Sequence, residues 1–324
     1  MHTIEEYQNL IQSAIEKEII HREPIELYEP INYTLSIGGK RLRPLLTLLT
    51  CDIFDGKIQE ALYPAIGLET FHNFTLLHDD IMDKAPIRRG LPTVYKKWDS
   101  NRAILSGDTM MVMAYNYILA SPKDLLFEIF TVFNKLGQEV CEGQQYDMNF
   151  ETDSHVTLDK YLTMIKLKTA VLLGGSMQVG AIIAKTSKKN IQLIYDFGES
   201  VGMAFQLQDD LLDAFGVEEV FGKKNGGDIR TNKKTFLYLK AMELGSEKQQ
   251  QELSHLYSIL DENDDNKVKR VLDIFKDLKI EAETRKLMKC YYDKGFKILG
   301  ETDLAQEKKL ILIKLANSLL KRDN

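Results

Sequence analysis

The chain has 324 residues, 44% of them hydrophobic, enough to bury a large core, which excludes a disordered or fibrous class. A net charge of -6 and a pI near 5.7 exclude a general polyanion binder, because nucleic acid rewards a basic face through counterion release. Cys51, Cys141 and Cys290 lie far apart without a CxxC pair, so neither a disulfide framework nor a zinc site is expected, and a reducing cytoplasm fits best.

From Met1 to Glu18 the sequence is polar and acidic, without the basic leader and apolar core of a signal peptide. Only seven prolines, and long windows in which apolar residues recur at three- and four-residue steps, predict a mostly helical chain. The pattern is plain in Leu45, Leu46, Leu48, Leu49 and Ile53, and again in Ile311, Ile313, Leu315, Leu319 and Leu320. Helix breaks are expected at Gly38-Gly39, Ala85 to Pro92, Ser121-Pro122, Gly222 to Thr235 and Glu262 to Asn266. None reads as a flexible linker, so one domain over residues 1–324 is expected. The most apolar stretch, Ala170 to Ala184, contains Gly174, Gly175, Gln178 and Gly180 and falls short of the roughly 20 residues of a membrane span. A buried helix explains it better.

The first chemical feature along the chain is Gly38-Gly39-Lys40-Arg41-Leu42-Arg43-Pro44, a turn with closely spaced cations. It suits a phosphate gripped by guanidinium forks and an ammonium, or an ordinary charged loop. Next comes Asp79-Asp80-Ile81-Met82-Asp83, matched later by Asp209-Asp210-Leu211-Leu212-Asp213. On a helix, residues four apart share a face, so each cluster stacks two like charges. Both sit among apolar neighbours, where stacked acids are unfavourable unless a cation neutralises them, and all-oxygen donors suit magnesium. One such cluster reads as a solvated acidic face; two identical ones point to metal. Arg88-Arg89 follows the first cluster closely, as either a structural ion pair or the grip on a shared polyphosphate. His72 and His78 offer no HxxxH spacing. Lys168-Thr169 lies in an apolar helical run, where the lysine either snorkels to the surface or serves a ligand. The segment Gly222-Lys223-Lys224-Asn225-Gly226-Gly227-Asp228, continuing to Lys233-Lys234, combines glycines with cations, as a lid over an anion or a solvated linker would.

With these motifs in order, and with Gly107-Asp108 and Gly143-Gln144 between them, the sequence resembles the trans-isoprenyl diphosphate synthases of the short-chain farnesyl and geranylgeranyl type. The likeness runs from Gly38 to about Lys234. It implies an all-α bundle of about a dozen helices around a central cavity, the isoprenoid synthase type. It implies that Asp79, Asp80 and Asp83 face Asp209, Asp210 and Asp213 across that cavity, with three magnesium ions (Mg2+) bridging them to an allylic diphosphate. Direct ligation would fall chiefly on Asp79, Asp83 and Asp209. Arg88, Lys168, Lys223 and Lys233 would hold the allylic diphosphate, and Gly39, Lys40, Arg43, His72 and Arg89 would grip isopentenyl diphosphate. Thr169 and Gln206 match positions beside the reacting carbons.

The implied reaction is ionisation of the allylic C–O bond, attack by the double bond of isopentenyl diphosphate, and removal of the last proton by the departed diphosphate. Phe74 lies five residues before Asp79 and Thr75 four, which resembles short-chain synthases. Geranylgeranyl diphosphate is the favoured product and farnesyl diphosphate the next, although Phe74 also reads as core. Tyr95 stands where relatives commonly have histidine, and Asn225 lengthens the lid loop by one residue. A catalytically silent partner subunit would show degraded acidic motifs, and a terpene cyclase would lack Lys40, Arg43 and Arg89. The family is commonly homodimeric.

Overall fold

The computed structural model describes residues 1–153, 155–216, 226–261 and 264–320. Helices α1 (Ile4–Lys17), α2 (Ile25–Ser36), α3 (Leu42–Ile53) and α4 (Ile58–Met82) lead to a small hairpin of β1 (Ile87–Arg88) and β2 (Leu91–Pro92). Then come α5 (Val94–Lys97), α6 (Ser100–Leu119), α7 (Leu126–Thr152) and α8 (Leu158–Ile165), a π-helical turn at Lys166–Ala170, α9 (Val171–Ile183) and α10 (Lys188–Phe215). The remaining helices are α11 (Gly227–Arg230), α12 (Phe236–Leu244), α13 (Glu247–Leu256), α14 (Asp265–Asp277), α15 (Ile280–Gly300) and α16 (Gln306–Leu320). The all-α expectation holds.

The described residues fall into two compact units. The first is Met1–Gly137 with Gly175–Tyr195 and the second is Gln138–Gly174 with Asp196–Asn324. In the first, α4 packs against α3 and α6, burying Ala61, Leu68 and Phe71 completely. Each large apolar side chain buried in this way contributes about 1.5–3 kcal/mol. Asp83 caps the C-terminus of α4 through its backbone N–H to Asp79 O at 2.8 Å, and Lys84, with φ 52°, turns the chain out of the helix. The hairpin follows, and its two central residues, Arg89 (φ 53°) and Gly90 (φ 78°), are both left-handed, as a tight two-residue turn between antiparallel strands requires. Pro44 sits in the first turn of α3, where a missing N–H leaves no intrahelical bond unmade.

In the second unit the π-helical turn is the organising irregularity. A Cβ on Gly143 would collide with the backbone of Lys168, and one on Gly202 would come within 2.7 Å of Ala170 Cα. Helices α7 and α10 therefore clamp the widened turn, and hydrogen-bond registers of this kind concentrate at functional sites. The stretch read as a buried apolar helix is α9, in which Val171 and Val179 are fully buried. Among the described residues, no helix is long and apolar enough to cross a membrane.

Candidate active site

The first acidic row ends α4. Asp80 is 4% exposed and accepts from Arg88 Nε at 2.8 Å and Nη2 at 2.7 Å, while Arg88 Nη2 also stands 3.7 Å from Asp79 Oδ2. Burial raises the Asp80 carboxyl above its ordinary range, with Arg88 pulling it down and Asp79 and Asp83 pushing it up. Burial lowers the Arg88 pKa, but its bond to Asp80 and the charges of all three aspartates outweigh this and leave it raised. Of the two readings left open for Arg88, the ion pair is present, and a side chain so placed also carries positive charge to Asp79.

A second group in the same unit surrounds His72. Gly38 (φ 76°), Gly39 (φ 127°) and Arg41 (φ 46°) fold the start of the basic motif into a left-handed turn. The φ of 127° at Gly39 strains any other residue, and a Cβ there would stand 2.7 Å from the movable Arg89 guanidinium carbon. Arg89 Nη1 donates to Gly38 O, tying the hairpin to the turn. Burial and the charges of Arg43, Arg89, Arg88 and Arg41 hold His72 well below its usual pKa, so it is neutral at pH 7. Lys40 is exposed and Arg43 partly buried. His78, by contrast, is structural: its Nε2 lies 3.1 Å from Ile104 O and 3.8 Å from Asp108 Oδ1, and its ring packs edge-on against Phe74 at 4.8 Å.

In the second unit, Gln206, Asp209, Asp210 and Asp213 project from α10. A relay of hydrogen bonds runs through them: Thr169 Oγ1 donates to Gln206 Oε1 at 2.9 Å, Gln206 Nε2 donates to Asp210 Oδ1 at 3.2 Å, and Tyr161 OH donates to Asp210 Oδ2. Burial pushes the Asp210 carboxyl up to about 7, against these donors and with the repulsion of Asp209 and Asp213. Asp213 Oδ2 accepts from the Asp228 backbone N–H at 2.9 Å. Burial, then Asp213 and Asp210, raise the Asp228 carboxyl well above its usual range, with Lys233 opposing.

Lys168, on the π-turn, pairs with Asp147 at 2.6 Å, so neither snorkelling nor isolation describes it. One cleft has walls that include Asp147, Tyr161, Lys168, Thr169, Gln206, Asp210, Asp228 and Lys233. Lys234, also on this cleft, donates to Phe150 O at 2.7 Å and Asp153 O at 2.8 Å, where a cation satisfies the carbonyl end of α7. Lys223, Lys224 and Asn225 lie outside the described residues.

Reasoning from the motifs missed Asp147, Tyr161 and Asp228, as well as the buried Arg41 and Glu69. Asp147 had a signal, since it stands one helical turn after Gly143-Gln144. The hydroxyl of Tyr161 had none, because its partner is forty-nine positions away. The carboxylate rows offer hard oxygen atoms, the donor type magnesium takes, although among the described residues no three His, Cys, Asp or Glu converge closely enough to hold a metal ion by themselves.

Residues 24–275 match the polyprenyl synthetase family model, and the chain belongs to this family of metal-dependent prenyltransferases. It is 37% identical to a geranylgeranyl diphosphate synthase of Methanosarcina mazei, over 72% of this chain and 73% of the relative. It is 34% identical to a geranylfarnesyl diphosphate synthase of Natronomonas pharaonis, over 75% of this chain and 76% of the relative. The crystal structure of a geranylgeranyl pyrophosphate synthase superposes with a TM-score of 0.95 at 44% identity, covering 100% of both chains.

Proposed function

We propose that the protein, acting as one synthase domain, condenses isopentenyl diphosphate head to tail with an allylic diphosphate to give a short-chain product, geranylgeranyl diphosphate first and farnesyl diphosphate next. The observation that carries this reading is the company of cations that each acidic row keeps in its own unit: Asp79 and Asp80 with Arg88, and Asp210 on the cleft that Lys168 and Lys233 also line.

Arg88, Lys168 and Lys233, with Lys223, hold the allylic diphosphate, while Gly39, Lys40, Arg43, neutral His72 and Arg89 grip isopentenyl diphosphate. Asp79, Asp80 and Asp83, with Asp209, Asp210 and Asp213, would hold three magnesium ions, which would supply the positive charge that makes diphosphate a competent leaving group. The allylic C–O bond breaks and its electron pair leaves with the diphosphate, whose charge the arginine and lysines spread. Because the Thr169 hydroxyl donates its hydrogen bond to Gln206 Oε1, its oxygen lone pairs remain to favour the developing cation. The double bond of isopentenyl diphosphate then forms the new C–C bond, and the departed diphosphate takes the proton released.

On α4, the Phe74 ring is tilted against Phe71 at 5.7 Å, and Phe71 meets Phe133 edge-on at 5.5 Å; this aromatic group limits the growing chain. The protein works in the cytoplasm as a homodimer, which the exposed apolar row Leu105 (58%), Val112 (60%) and Leu119 (53%) on one face of α6 supports. Purified protein given magnesium, labelled isopentenyl diphosphate and dimethylallyl, geranyl or farnesyl diphosphate, with products sized by chromatography, tests the reaction. Absence of any elongated product would refute it. A longer product from Phe74→Ala is expected; an unchanged one would place the floor elsewhere.

A further inference from the structure

Beneath the basic turn lies an ion pair that the reaction described above does not use. Arg41 and Glu69 are 8% and 2% exposed. Arg41 Nη1 donates to Glu69 Oε1 at 2.8 Å, and its Nη2 donates to Leu35 O, a carbonyl in the last turn of α2. Asn73, one helical turn beyond Glu69 and 1% exposed, donates to Glu69 O at 2.8 Å and to Glu69 Oε1 at 3.0 Å. Glu69 Oε2 has no hydrogen-bond partner among the described residues. Glu69 acts on Arg89 as its strongest attracting charge, and Arg41 as its strongest repelling one.

A buried carboxylate with half its hydrogen-bonding capacity unused attracts any guanidinium within reach, because leaving an ion unpaired in the interior costs several kcal/mol. The guanidinium of Arg89, which stands against Gly39, is one on which the Glu69 charge acts. We propose that Arg41 and Glu69 are positioning residues for the isopentenyl diphosphate site: Arg41 neutralises Glu69 from below, so that Arg89 stays turned toward the anion rather than inward. The inference rests on the reading of Arg89 given under the proposed function. It also accounts for a left-handed φ of 46° at an arginine, a backbone conformation that side chains other than Gly, Asn and Asp adopt rarely, here held by bonds to both α2 and α4.

Steady-state kinetics with each substrate varied separately test it. Arg41→Met is expected to raise KM for isopentenyl diphosphate about tenfold, with KM for the allylic substrate and kcat within about twofold. Adding Glu69→Gln to that variant removes the competing charge and is expected to recover most of the lost affinity. A purely structural role would move both KM values together or leave the double variant as impaired as the single one, and either result overturns the proposal, as does an unaffected Arg41→Met. Should Arg41→Met fail to fold, Arg41→Gln against Arg41→Gln/Glu69→Gln carries the same comparison. Arg89→Ala separates the two readings. If it leaves KM for isopentenyl diphosphate unchanged, the site assignment itself is wrong; if it raises KM while Glu69→Gln rescues nothing, only the positioning role falls.

Discussion

Asp79 to Asp83 and Asp209 to Asp213 carry the same spacing of acids, yet their surroundings treat the buried middle aspartate in different ways. Asp80 receives two bonds from a guanidinium, whereas Asp210 receives a hydroxyl and an amide. The first row stands beside a cation-rich corner, where burial first, and then Arg43, Arg89, Arg88 and Arg41, drive His72 down. The second stands in an acid-rich cleft, where burial, Asp209 and Asp213 drive Asp210 up to about 7. A shared motif thus fixes the donor atoms and leaves the local potential to residues distant in sequence. The middle acid of the first row is bonded by a guanidinium, and that of the second only by neutral donors.

If both rows hold metal, removing a carboxylate from either end should be equally damaging. Asp79→Ala and Asp209→Ala are each expected to lower turnover on the order of a thousandfold, since a metal anchor goes and no core group does. Circular dichroism should show the helical content unchanged. Turnover near wild type in one variant alone would break the symmetry of the comparison.

The middle residues should then separate the rows. Asp80→Asn leaves Arg88 beside a neutral amide and should destabilise the fold by about 3 kcal/mol, as breaking a partly buried ion pair does. Asp210→Asn keeps an oxygen to accept from Tyr161 and should change stability by less than about 1 kcal/mol. Urea unfolding of both variants without metal measures the difference, and equal losses would show that hydrogen bonds and the guanidinium neutralise their acids alike.

Tyr161 sharpens the second half of the comparison. Tyr161→Phe removes the hydroxyl that orients Asp210, and loss of such an outer partner typically weakens metal affinity about tenfold or more. A magnesium titration of activity should shift by that factor while turnover at saturating magnesium recovers most of its wild-type value. An unshifted titration would mean that Gln206 alone orients the carboxyl.

The helical class and the placement of the acidic rows were readable from the sequence because both rest on local spacing: apolar residues at three and four steps, and aspartates four apart on one helix. The hairpin at Ile87–Pro92 was readable only as an interruption, since two-residue strands are too short to show alternation. The π-turn at Lys166–Ala170 left no trace in the pattern, because apolar periodicity does not register one extra residue per turn, and it took Gly143 and Gly202 closing on it from two helices to reveal it. Arg41 was read as one more cation of a phosphate loop, yet it is buried on Glu69. Nothing in Glu69, inside an apolar run of α4, announces a partner twenty-eight positions earlier.

The smallest expected effect concerns the cation-rich corner. His72 titrates in the folded protein well below 6.5, its ordinary value, so the unfolded chain takes up a proton near pH 6.5 while the folded chain does not. Its contribution to stability is therefore full above about pH 6.5 and fades as the pH falls toward the depressed folded value. His72→Gln should show a shallower acid loss of stability than the wild type between about pH 6.5 and 5, with matching curves above that range. Inorganic diphosphate bound among Arg43, Arg88 and Arg89 would offset the positive charge acting on the imidazole and flatten the wild-type slope toward that of the variant. An identical slope with and without diphosphate would show that burial, rather than the arginines, keeps His72 neutral, and would remove the contrast in local potential drawn between the two rows.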